Sequence, residues 1–187
     1  MQHDINLALN TLRKGKIILY PTDTIWGIGC DATNPNAIEK IYRLKERTDQ
    51  KSMLVLVDSA EMISNYVKII PSIAWDLIDS SVEPITIIYP EAKNLAQNLI
   101  NHDGSIGIRV CNTEFCKKLI SGFRKPIVST SANISGRPHP KTFRDIENNI
   151  LSGADYIVKF DQEESKIKKP SPIIKLGANN EIQIIRM

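Results

Sequence analysis

The chain alternates between stretches whose apolar residues recur at helical spacing and short aliphatic blocks bounded by polar turns. Over 4–14, Ile5, Leu7, Ala8, Leu9 and Leu12 recur at roughly helical intervals, and Gly15 supplies a stop, which predicts a helix. KIILY, at 16–20, reads as a buried strand ending at Pro21. Asn34-Pro35 is a helix start, with Asn as cap and Pro in the first turn, and the helix carries Ile38, Ile41, Tyr42 and Leu44. MLVLV, at 53–57, is short and wholly apolar, as a central strand must be. Residues 59–79 predict one or two helices around Pro71, and ITIIY after them predicts a strand.

The second half repeats the alternation. IGIRV predicts a strand leading to a helix over 113–121, and PIVSTSA a strand running into a turn of small residues. Thr142 is placed to cap a helix through Asn149. YIVKF, PIIKL and EIQIIR predict closing strands, the last two as a hairpin around 177–180. The resulting fold class is α/β: a twisted mixed sheet with flanking helices, in one domain over 1–187. Such sheets put ligand sites beyond their strand ends. The stretch at 165–169, rich in lysine, predicts a solvated loop.

Composition narrows the function classes. At 187 residues, one core suffices, since a chain this long buries roughly 70% of its unfolded surface. A net charge of +3 permits an anionic ligand without by itself pointing to nucleic acid. Cys30, Cys111 and Cys116 are odd in number and lack a CxxC pair, while His3, His102 and His139 are scattered. That pattern argues against zinc and against a disulfide framework, and predicts free buried thiols in a reducing compartment. The N-terminus lacks a signal-peptide pattern, and no window approaches ~18 uninterrupted apolar residues. A cytoplasmic protein without a membrane span is therefore expected.

Four polar stretches carry candidate chemistry. YPTDTIWGIGCDA, at 20–32, contains Gly27-x-Gly29-x-x-Ala32, but six residues separate these glycines from the strand and the helix starts only at Asn34, so a dinucleotide fingerprint is disfavoured. The expectation is a polar loop in which Thr22, Asp23 and Thr24 offer polar groups and the glycines allow close approach, or else an ordinary turn with a Trp plug. RLKERTDQKS, at 43–52, places Lys45 and Arg47 where both can reach one polyanion at a fraying helix end, or simply on a solvated surface. IVSTSANISGRP, at 127–138, follows a strand with hydroxyls and Asn133, a turn suited to phosphates. It lacks the base, the orienter and the GxSxG elbow that a serine nucleophile needs. GSIGIRV sets Arg109 inside an apolar strand, where it needs an anionic ligand or a structural salt bridge.

In this order the motifs are distinctive. YPTDTIWGIGCDA, Lys45-Glu-Arg47, GSIGIRV and Ser131-Ala-Asn133 followed by Ile-Ser-Gly resemble the YrdC-like family of L-threonylcarbamoyladenylate synthases, over nearly the whole chain and in its short form. The resemblance implies the YrdC-like open α/β fold and a nucleotidyltransferase that joins L-threonine, bicarbonate and ATP into threonylcarbamoyl-AMP and pyrophosphate. That product serves the threonylcarbamoyladenosine modification of tRNA. It further implies that Lys45 and Arg47 hold the ATP phosphates, with Ser131 and Asn133 opposite them. Ser105, His139 and Arg186 fall on the nucleotide side; Thr22, Arg109, Ser129 and Ser171 fall on the threonine side, Arg109 pairing with the carboxylate.

Mg2+ is expected to come with ATP rather than in a protein metal site, and positioning rather than a side-chain nucleophile carries the reaction. The partners implied are the three substrates, a downstream threonylcarbamoyl transferase complex, a tRNA or RNA contact, and no membrane. Departures from the family pattern fall mainly on the threonine side. SSVEPITIIYP lacks a WPGP start although Thr86 remains, Leu56 stands where some relatives have histidine, His139 replaces a smaller hydroxyl residue, and SPIIKL replaces an STVI run. Two readings without turnover share the fold: an RNA-binding or ribosome-associated module, and a regulatory domain that binds an acyl or carbamoyl group. The presence of both the Lys-x-Arg and Ser-x-Asn pairs favours the enzyme.

Overall fold

A computed structural model describes residues 1–46 and 53–187; Arg47, a predicted phosphate ligand, lies outside the described residues. The predicted alternation resolves into five helices and a nine-stranded mixed sheet among the described residues. In chain order these are α1 (Gln2–Arg13), β1 (Ile18–Tyr20), β2 (Gly27–Gly29), α2 (Pro35–Leu44), β3 (Leu54–Val57), α3 (Ile73–Ser80) and β4 (Thr86–Tyr89). They continue with β5 (Ile106–Val110), α4 (Glu114–Phe123), β6 (Ile127–Ser131), α5 (Asn148–Gly153), β7 (Tyr156–Ile157), β8 (Ile173–Leu176) and β9 (Ile182–Arg186). The sheet order is β7-β1-β2-β6-β3-β5-β4-β8-β9, which puts β3 at the centre as its apolar run predicts.

Local signals explain much of this. Asn34 Oδ1 accepts from the backbone N–H of Asn36 (3.0 Å) and Ala37 (3.2 Å), a cap that starts α2. The α2 stripe Ala37, Ile38, Ile41 and Tyr42 is buried in one core cluster with Ile28, Val55 and Ile106. Fully burying a side chain such as Ile41 contributes about 2 kcal/mol. Helices α1 and α4 pack over a second cluster, where Ile5, Leu9 and Leu12 meet Leu119 and Phe123 above Ile18 and Leu56. The hairpin of β8 and β9 forms as predicted.

Three local expectations are corrected. The polar loop at 20–32 contains a strand, β2, antiparallel to both β1 and β6. A Cβ on Gly29 would lie 2.6 Å from the Tyr20 ring and 2.6 Å from the Val128 carbonyl oxygen, so the glycine serves strand packing there. The helix expected from Thr142 is broken instead. Asp145 reaches back to the Thr142 hydroxyl and to the N–H groups of Lys141 and Thr142, closing a single 3-10 turn at Phe143–Asp145 before α5 begins. The YIVKF strand shortens to two residues, and the Lys159 N–H turns to Asp4 at 3.0 Å. The region 59–79 forms a 3-10 turn at Glu61–Asn65 and then α3.

All three cysteines are buried and free, as their spacing predicts. Burial pushes their thiols up, that of Cys116 to about 12, which keeps them protonated and unreactive. Among the described residues no helix is long and apolar enough to cross a membrane.

Candidate active site

A cleft of about 570 Å³ opens where the ends of β5 and β6, the start of β8 and the C-terminus of α2 converge. It brings together Lys45, Arg109, Ser129, Ser131, Asn133, His139, Ser171 and Arg186 from the predicted set. Thr24, Trp26, Met53, Leu54 and Ile173 also line its wall.

One half is built around Lys45, the C-cap of α2, which is 3% exposed. Its ammonium donates to the carbonyls of Ser131 (2.5 Å) and Asn133 (2.6 Å), while its own carbonyl accepts the Ser135 N–H at 2.9 Å. Helix α2 is thereby locked to the turn after β6. The Asn133 amide nitrogen donates to the carbonyls of Ile134 (3.0 Å) and Arg137 (2.6 Å). Its Oδ1 is buried with no hydrogen-bond partner among the described residues, an acceptor that a ligand donor would satisfy. Gly136 takes φ +84°, a conformation that glycine adopts freely and that lets the turn close.

The other half is built around Ser171. Arg109, 3% exposed, donates from Nη1 to Ser171 Oγ at 3.3 Å, and its buried Nε has no partner among the described residues. The more exposed Arg186 donates from Nε (3.1 Å) and Nη2 (2.7 Å) to the Ser171 carbonyl. Neither guanidinium forms a salt bridge among the described residues. Burial lowers the pKa of Arg109 from its ordinary value, and the Asp23 charge opposes that shift. The Arg186 pKa is lowered by burial and then by the like charge of Arg109. Two cations that repel each other beside a cleft make it a site for an anion.

Two predicted residues do not line the cleft. Ser105 is tied down elsewhere: its hydroxyl donates to Asp103 at 2.6 Å and accepts from Asn101 at 2.9 Å. Lys175 reaches the same Asp103 at 2.6 Å, and these hydrogen bonds hold the Asp103 carboxyl down at about 2. Thr22 is 2% exposed; its hydroxyl bonds the Ile25 carbonyl at 2.7 Å, so it braces the loop that presents Thr24. Leu56, at the histidine position, is fully buried in the cluster beneath α1 and α4, and Leu54 faces the cleft instead. The 165–169 stretch is anchored rather than merely solvated, since Lys168 reaches the Thr22 carbonyl at 3.3 Å and Asp161 at 3.4 Å.

Asp23 has a role that spacing did not reveal. Its Oδ1 accepts from the N–H groups of Asn112 (3.0 Å) and Thr113 (2.6 Å), gripping the turn that leads into α4 from a loop some ninety residues earlier in the chain. That grip holds the turn just beyond Arg109. Trp26 packs on Phe143 with ring centroids 4.9 Å apart, which fixes a wall of the cleft.

Residues 10–187 match the Sua5/YciO/YrdC family, described as telomere recombination. The chain belongs to this family. Among Sua5/YciO/YrdC relatives, the threonylcarbamoyl-AMP synthase of Pseudoalteromonas translucida is 34% identical over 165 residues, covering 87% of this chain and 83% of the relative. The threonylcarbamoyl-AMP synthase of Vibrio parahaemolyticus is 32% identical over 169 residues, covering 89% and 90%. Of solved structures, Pyrococcus abyssi Sua5 complexed with L-threonine superimposes with a TM-score of 0.83 at 26% identity, over 92% of this chain and 50% of that one. Escherichia coli YciO gives 0.85 at 24% identity, over 100% and 89%, a likeness of fold.

Proposed function

We propose that this chain is a threonylcarbamoyl-AMP synthase, a nucleotidyltransferase that converts L-threonine, bicarbonate and ATP into threonylcarbamoyl-AMP, pyrophosphate and water. The observation that carries the reading is the meeting of Arg109 and Arg186 at Ser171, in the same cleft as Lys45 and the Ser131–Asn133 turn. An amino acid and a nucleotide side by side need such a divided anion site. A volume near 570 Å³ lies within the ~300–1,000 Å³ of ligand pockets. The relatives named as threonylcarbamoyl-AMP synthases support this reading and disfavour an RNA-binding module without turnover.

In this reading Arg109 takes the threonine carboxylate as a guanidinium fork, with Ser129 and Ser171 beside it. The threonine amine attacks the bicarbonate carbon and water leaves. The new carbamate oxygen then attacks the α-phosphorus, and the bond to the β-phosphate oxygen breaks to release pyrophosphate. Lys45, Arg47, Ser131, Asn133, His139 and Arg186 hold the nucleotide so that the reacting atoms meet in line. The Lys45 ammonium, already held by two carbonyls, needs little reorganisation to face a phosphate.

No group of three or more His, Cys, Asp or Glu side chains suited to a metal occurs among the described residues. In this reading Mg2+ comes with the triphosphate, where it would ease departure of pyrophosphate. The product is a mixed anhydride that a downstream threonylcarbamoyl transferase would consume on tRNA.

The test is pyrophosphate release in a mixture of protein, ATP, Mg2+, bicarbonate and labelled threonine. Release that needs both threonine and bicarbonate is expected. Absence of release under every condition removes the reading, and tight RNA binding with a steep salt slope and no turnover would replace it with the binding module.

A further inference from the structure

Ser171 is held from below by a residue that does not line the cleft. Thr86 opens β4, is 1% exposed, and places its Oγ1 2.7 Å from Ser171 Oγ. Its backbone N–H donates to the Pro172 carbonyl at 3.0 Å, and it sits opposite Ile173 in the parallel β4–β8 register. Main chain and side chain of Thr86 therefore grip the same three residues. A β-branched side chain is stiff at χ1, so the hydroxyl is fixed with the strand.

The direction of that hydrogen bond decides what Ser171 can offer. A guanidinium only donates, so Arg109 already uses one lone pair of Ser171 Oγ. If Ser171 gave its proton to Thr86, the Thr86 hydroxyl hydrogen would be buried without an acceptor, because Thr86 Oγ1 has no other partner among the described residues. If Thr86 gives the proton, Ser171 accepts from both neighbours and its own hydrogen is left for the cleft. The first arrangement strands a hydrogen on Thr86, which does not line the cleft; the second leaves the spare hydrogen on Ser171, which does, where water or a ligand can accept it, and is the more stable.

We propose that Thr86 is a positioning residue for the amino-acid half of the site: it donates to Ser171 Oγ, aims the Ser171 O–H at the substrate, and keeps Oγ within reach of Arg109. The inference rests on the reading of the Arg109–Ser171 corner as the threonine site.

Steady-state kinetics of Thr86→Val, Thr86→Ser and Ser171→Ala test it. Valine keeps the shape and loses the hydroxyl, so the threonine KM is expected to rise about fivefold or more while the ATP KM stays within about twofold. Thr86→Ser is expected to return the threonine KM to about the native value. In a Ser171→Ala background, Thr86→Val is expected to add nothing. A native-like threonine KM in Thr86→Val overturns the proposal. So does a rise in both KM values with a fall in Tm that Thr86→Ser fails to reverse. A parent protein that neither binds threonine nor releases pyrophosphate removes the synthase reading and this inference with it; a working parent with an indifferent valine variant removes the inference alone.

Discussion

The two halves of the cleft solve opposite problems. Around Lys45 the protein satisfies its own charge: the ammonium rests on the Ser131 and Asn133 carbonyls and also clamps α2 to the β6 turn. Around Ser171 the charge is left incomplete, with a buried Arg109 Nε that lacks a partner among the described residues and two guanidiniums repelling each other. A clamp serves stability as well as binding. An incomplete site gives up stability until its anion arrives. The same net charge can therefore do different work depending on whether backbone or ligand completes it.

The largest effect that sharpens this contrast is expected from Arg109→Met. Threonine kcat/KM should fall about a hundredfold, as when a charge-assisted pair is lost, while Tm holds or rises because an incompletely paired buried charge is replaced by apolar volume. Differential scanning calorimetry beside the pyrophosphate assay checks both. Lys45→Ala should behave in the opposite sense. Its ATP KM rises, and Tm falls as two carbonyls lose their donor, at a cost of about 1–3 kcal/mol. A larger fall in Tm for Arg109→Met than for Lys45→Ala would reverse the comparison.

A smaller effect is expected from Asp23→Ala, which removes the acceptor of the Asn112 and Thr113 N–H groups ahead of α4 at a cost of about 1 kcal/mol. Because these bonds hold the turn beyond Arg109, the loss should appear in the threonine KM and leave the ATP KM alone; equal changes in both would disconnect Asp23 from that half. The smallest lies outside both halves. The Asp103 carboxyl is held down at about 2 by Lys175 and Ser105, against an ordinary value of about 3.9. Its contribution is present above about pH 4 and lost as the pH falls through about 2. Asp103→Asn should flatten the decline in Tm over that window without altering either KM, and an altered KM would bring the Ser105 cluster back to the cleft.

Legibility in the sequence follows the range of the forces involved. The Asn34 cap, the Pro35 start, the central MLVLV strand and the 177–180 hairpin were readable because each depends on neighbours a few residues away. The β2 strand was not, because Gly-Ile-Gly offers neither alternation nor an apolar run; its neighbours β1 and β6 make it a strand. Ser105 and Thr22 have the residue type and the motif for a ligand site, yet local hydrogen bonds with Asp103 and Ile25 claim their hydroxyls. In the sequence Thr86 stands only as a remnant of a motif, since nothing near it in the chain points to Ser171.

By itself, the sequence determined the alternation of helices and strands, the inert thiols and the supply of cations for an anion site. Tertiary structure decided which of those cations share a site and which are complete without a ligand. The physical reason is separation: Lys45 meets the Ser131 carbonyl across 86 residues, and Arg109 meets Ser171 across 62. Periodicity reports which face of an element is buried. It cannot report which side chain arrives at the open end of the sheet, because that depends on strand order and register set by the whole core.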